Sequence, residues 1–184
     1  MNHLLIFLSL IPLVGLNIWH SVLLMMPYRA KRPGSISEHA TETRRLLTSH
    51  RVMHISGSVL LWVFSFGYLL PHHATIAAGL LIIGGVFDVL EVLTLNKKTA
   101  ATTIRLNPHT ITAWSMALSY LLYASVIVVV VGMSAWLSLA VWVSFLILLA
   151  VSALGKFKHF WLTQHIYFCC LALVIMVAHL RLMQ

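Results

Sequence analysis

Apolar residues along this chain neither alternate nor follow a narrow helical stripe. They run in blocks of about twenty residues, each closed by charged or turn-forming residues. Six blocks are readable, at about residues 4–26, 51–70, 75–95, 109–131, 135–154 and 160–182. A helix rises about 1.5 Å per residue, so each block covers the ~30 Å hydrocarbon core of a bilayer. The pattern predicts an all-α integral membrane protein: a compact bundle of six transmembrane helices, one domain over residues 1–184. Connections are short apart from 27–50, so neighbours in sequence should pack antiparallel. The first block has no basic leading region and runs into Met25-Met26-Pro27-Tyr28. It therefore reads as a span and not as a cleaved signal peptide.

Composition agrees, at 60% hydrophobic and 9% charged residues. The basic residues add orientation. Six Lys/Arg lie between Arg29 and Arg51, three between Lys97 and Arg105, and two at Lys156 and Lys158, all in alternate connections. Pro71–Ala74 and Gly132–Ser134 carry none, and Arg181 lies near the C-terminus. The positive-inside rule places the basic loops, including 27–50, in the cytoplasm and both termini outside. The expected location is a bacterial inner (plasma) membrane. A pI near 10 then points to anionic lipid headgroups at the cytoplasmic face, with no nucleic-acid partner. Within the long connection, Ser37 reads as the N-cap of a helix running through Glu38, Glu42 and Arg45 into the second span, its charges solvated. Cys169 and Cys170 are adjacent in the last block, so no disulfide framework is implied.

Only four acidic residues occur, and two of them, Asp88 and Glu91, sit inside the third apolar block. An acid at the centre of a spanning helix costs about 2.5–3.5 kcal/mol on insertion scales. Three residues apart, the two share a helix face. Gly84 lies on that face and permits close approach of another helix or a flat cofactor. Acids so placed are candidates for chemistry.

Histidine is abundant, with eleven residues. Counting helical rise from the cytoplasmic ends brings His20, His54, His109 and His165 to the level of Asp88 and Glu91, with His50 one turn from His54. A looser external group comprises His3, His72, His73 and His179. Several imidazoles and two carboxylates at one depth are costly to bury unless they bind something or line water.

Three chemistries suit such a layer. The first is haem b, held by histidines among His20, His54, His109 and His165. Asp88 and Glu91 would then handle protons, with a quinone and a partner redox subunit as electron partners. His165 and His179 are fourteen residues apart, about 21 Å along one helix. That spacing resembles the way one helix ligates two stacked haems in bis-histidine membrane cytochromes. Ser49–Gly57 likewise resembles the Arg/His-rich opening of a cytochrome b helix. Positions fourteen beyond His54 and His109 are Tyr68 and Tyr123, so a second histidine pair of this kind is missing. The alternative is a non-haem zinc or iron enzyme, a hydrolase or hydroxylase acting on a lipid substrate. Its ligands would come from His20, His54, Asp88, Glu91 and His165, although no HExxH motif is present. The third is a proton or metal-ion transporter with the same residues as a relay; no repeated halves support it. The sequence favours the haem reading.

Overall fold

A computed structural model of the chain describes residues 2–26, 35–100, 107–154 and 160–184. The helices are α1 (Asn2–Met25), α2 (Ile36–Ala40), α3 (Arg44–Phe64), α4 (Thr75–Thr94), α5 (Lys97–Ala100), α6 (Pro108–Val130), α7 (Trp136–Ala153) and α8 (Phe160–Arg181). A π-helical turn, Ser65–Leu69, extends α3. No strand occurs among the described residues. Six helices, α1, α3, α4, α6, α7 and α8, are long and apolar enough to cross a membrane. Their outward faces carry Phe7, Ile83, Leu146 and Leu173, all exposed, as a lipid-facing surface requires. Phe64, Leu121, Tyr123, Ile127, Tyr167 and Ile175 fill the core.

Close approach organises the centre of the bundle. A Cβ at Gly84 would lie 2.7 Å from Cε1 of Tyr120 on α6, and one at Gly85 would run into the Trp62 indole on α3. Two adjacent glycines thus bring α4 against both neighbours. Trp62 also donates its indole N–H to the Ile82 carbonyl at 3.1 Å. Pro12 inside α1 packs its ring where Gly57 leaves room on α3. Asn107 caps α6, accepting from the Thr110 amide at 2.9 Å, and Pro108 occupies the first helical position.

The cytoplasm-assigned connection differs from the sequence expectation. Ser35, not Ser37, is the N-cap, accepting from the Glu38 amide at 3.0 Å. The helix it starts ends after five residues, at Ala40. Thr43 then caps a separate α3, accepting from Leu46 N at 3.1 Å, so the second span begins at Arg44. The short helix is not solvated. Ile36, His39 and Ala40 are buried, because Ile36 and Ala40 pack with Leu23, Leu95 and Ala100. Arg51 is also committed: its Nε donates to Val92 O and its Nη2 to Leu95 O, each at 2.9 Å. These carbonyls end α4 and lack helical partners, and the helix dipole there favours a cation.

Candidate functional site: a buried histidine–carboxylate layer

Helical spacing on α3 places His50, His54 and Ser58 in one stripe, each a turn apart, and all three are buried. The stripe faces Asp88 on α4. His54 Nδ1 lies 2.6 Å from Asp88 Oδ1, and Ser58 Oγ donates to Asp88 Oδ2 at 2.8 Å. A carboxylate brings acceptors only, so the hydrogen of the first contact belongs to His54 Nδ1. Neutral His54 then carries its lone pair on Nε2. That atom faces His20 Nε2 on α1 at 3.4 Å. His20 Nδ1 is buried without a partner.

His50 closes the third side. Its ring centroid is 4.3 Å from that of His54 and 6.0 Å from that of His20, and Trp19 Nε1 donates to its Nδ1 at 3.2 Å. His20, His50 and His54 each offer a nitrogen within 4.8 Å of the others. His54, Asp88 and Glu91 form a second such group. Among the described residues these are the two places where three metal-ligating atoms gather.

Glu91 is held from two sides. Ser37 Oγ donates to its Oε1 at 3.3 Å, and His109 Nδ1 lies 3.2 Å from the same oxygen. His109 Nδ1 also lies 3.3 Å from the Glu91 carbonyl. Oε2 is buried with no partner. The α2 segment forms the floor: besides Ser37, Ile36 N donates to Gln164 Oε1 of α8 at 3.1 Å.

Of the residues singled out in the sequence, His20, His54, Asp88 and Glu91 come together, and His109 joins through Glu91. His165 does not. Its Nε2 lies 3.3 Å from Ser21 Oγ and 3.6 Å from Cys169 Sγ, on a half-buried face of α8 outside both groups. Depth along a helix does not fix the direction a side chain points. His50, Ser58 and Ser37 were not singled out as site residues; the i, i+4, i+8 stripe was the available signal for the first two.

His179, grouped in the sequence with the external histidines, is held inside the bundle. It is fully buried, with Nδ1 2.7 Å from Ser9 Oγ and Nε2 bonded to the Tyr123 hydroxyl. Ser9 gives its own proton to Ile6 O at 2.6 Å. His179 therefore donates from Nδ1 and accepts at Nε2, both nitrogens satisfied, tying α8 to α1 and α6. His3, His72 and His73 are exposed and do not gather with it.

Two cavities meet at the layer. One, about 70 Å³, is lined by Ser37, His50, Glu91, His109 and Gln164. The other, about 60 Å³, runs among Leu16, Leu61, Leu81 and Tyr120. His20 and His54 line both.

Comparison with family models, with curated proteins and with solved structures returned no match, so the site is read from its own geometry. Fold and layer define a helical membrane protein whose buried histidine and carboxylate groups could hold a metal ion.

Proposed function

We propose that the chain is a membrane-embedded metal enzyme, with His20 and His54 as ligands through Nε2 and Glu91 completing the donor set through its unpartnered Oε2. The observation that carries this is the 3.4 Å between the two Nε2 atoms. Nitrogens about 2.0–2.1 Å from a tetrahedral ion lie about 3.3–3.4 Å apart. Asp88 behind His54 Nδ1 supplies the outer carboxylate that metal-bound histidines usually have. Imidazole nitrogens with one carboxylate oxygen suit Zn²⁺ or non-haem Fe²⁺.

A bound ion of this kind would polarise a substrate oxygen or activate a water. Around it, His109 and Ser37 hold the Glu91 carboxylate in place through Oε1, leaving Oε2 to ligate. The depth of the site within the helices favours a lipid substrate, by hydrolysis with water or by hydroxylation with dioxygen and an external two-electron donor.

Haem b is less well supported. Cavities of about 70 and 60 Å³ beside His20 and His54 match a few waters at ~30 Å³ each, not a macrocycle. His165 and His179, the pair with haem-like spacing, face Ser21 and Ser9. The distribution of basic residues supports the topology proposed with this function: both termini outside, and basic loops against anionic lipid at the cytoplasmic face of a bacterial plasma membrane.

The test is elemental analysis of protein purified in lipid nanodiscs. Stoichiometric zinc or iron is expected in the wild type and in His165→Ala, and its loss in His20→Ala and His54→Ala. A Soret band, or no metal in any variant, overturns the reading.

A further inference from the structure

Trp19 fixes the hydrogen of His50. An indole N–H donates and has no lone pair to offer, so its 3.2 Å contact makes His50 Nδ1 the acceptor. An imidazolium has no free nitrogen lone pair, so His50 is neutral and carries its hydrogen on Nε2. His54, one turn along α3, is set the other way: its Nδ1 gives a hydrogen to Asp88 and its lone pair is on Nε2. Two imidazoles with centroids 4.3 Å apart thus present opposite chemistry, one suited to ligate and the other to donate.

His50 is only 2% exposed, and no acceptor among the described residues meets its Nε2. A buried N–H in that position is costly unless something supplies an acceptor. The ring lines the polar cavity together with His20, His54 and Glu91, and one of its nitrogens lies within 4.8 Å of nitrogens of His20 and His54. To ligate through Nε2, His50 would have to move its hydrogen to Nδ1, setting two donors face to face at Trp19. Three protein ligands leave a catalytic ion one open position, and a cavity of about 70 Å³ holds a water or a small anion there. His109, which faces the same cavity from α6, is set like His54: its Nδ1 lies 3.2 Å from Glu91 Oε1 and 3.3 Å from the Glu91 carbonyl, both acceptors.

We propose that His50 is not a ligand but the hydrogen-bond donor to the oxygen or small anion at the open position of the metal centre. Trp19 is the positioning residue that keeps its hydrogen on Nε2. The role at the ion rests on the metal-centre reading; the tautomer of His50 does not. A fixed donor in a dry site favours whatever carries negative charge at that position, a small anion or the oxygen of a polarised substrate carbonyl.

The experiment uses the full chain in nanodiscs, loaded with Co²⁺ and titrated with azide, whose binding at the open position is read in the visible absorption of the cobalt. Nitrogen NMR of the histidine side chains before loading reports the tautomers, and the His50 hydrogen is expected on Nε2. His50→Ala should keep its cobalt and bind azide about tenfold more weakly, through loss of one hydrogen bond to a charged group. His50→Gln, whose amide keeps a donor, should recover most of that loss. Trp19→Phe removes the lock: both His50 tautomers should appear, and azide affinity should fall between wild type and His50→Ala. Should His50→Ala fail to fold, Trp19→Phe decides, and an unchanged tautomer and affinity in that variant overturn the proposal. So do a wild-type hydrogen on Nδ1, cobalt lost from a folded His50→Ala, or unchanged azide affinity in it; each of these leaves the metal reading standing. A wild type that takes up no cobalt sinks the metal reading, and the role of His50 at the ion with it.

Discussion

His54 donates its Nδ1 hydrogen to Asp88 at 2.6 Å, and this contact sets the direction of chemistry in the layer. A charge-assisted bond of that length is among the stronger kinds available to a side chain. It fixes the ring, commits one nitrogen, and leaves the other aimed at His20. Ser58 takes the second carboxylate oxygen, so Asp88 is fully used as a positioning group. Glu91, with one oxygen unpartnered, is the carboxylate left to react or to ligate.

Gly84→Ala should destabilise the bundle by about 1–3 kcal/mol, the usual cost of overpacking. The added methyl meets the Tyr120 ring at 2.7 Å, and a ring wedged between helices has little room to move. Gly79→Ala, with no heavy atom within 4 Å of the new carbon, is the control and should be neutral. Thermal unfolding of both variants in one detergent measures the difference.

Tyr123→Phe and Ser9→Ala should each cost about 1–3 kcal/mol by leaving a buried His179 nitrogen unsatisfied. His72→Ala should be close to silent, since the ring is exposed and stacks on Tyr68. Metal content should be unchanged in all three. Loss of metal in Tyr123→Phe would mean that His179 belongs to the site after all.

His39 gives α2 a pH dependence. Burial lowers its pKa, while Glu42, 3.8 Å away, pulls the other way without prevailing. A histidine with a lowered folded pKa binds protons more readily once released. Docking of α2 is therefore at full strength above the ordinary value of about 6.5 and weakens as pH falls through it. The protection factor against hydrogen exchange over residues 36–42, corrected for the pH dependence of intrinsic exchange, should fall as pH drops from about 7 to about 5; a constant protection factor contradicts this.

Topology is checked by cysteine accessibility. Lys97 and His73 are both exposed and lie in connections assigned to opposite faces. Lys97→Cys should resist a membrane-impermeant maleimide in intact cells, and His73→Cys should react. The reverse result would invert the orientation of every helix. Ser35 is unsuited to this test because it is buried as the cap of α2.

The six spans were legible in the sequence because block length alone reports them, and the structure carries six helices of that kind. Their ends were less so: the apolar block begins near 51, and the helix that carries it starts at Arg44 behind the Thr43 cap, not at Ser37. Depth was legible for His20, His54, Asp88 and Glu91 because rise per residue is fixed. Azimuth was not, which is why His165, beside Ser21, falls outside both three-residue groups. His179 was grouped with the histidines of the external end, and its burial between Ser9 and Tyr123 was not legible there. The burial of α2 depends on two apolar residues, Ile36 and Ala40, too few for a sequence pattern to register.

The central claim is that an ion sits between the facing nitrogens of His20 and His54. X-ray absorption fine structure at the zinc or iron edge of the metal-loaded protein measures this most directly. The account predicts at least two imidazole nitrogens at about 2.0–2.1 Å with a light-atom shell completed by oxygen or nitrogen, and loss of the imidazole signature in His54→Ala. A sulfur scatterer at about 2.3 Å, pointing to Cys169 beside His165, or a first shell without imidazole, would contradict it.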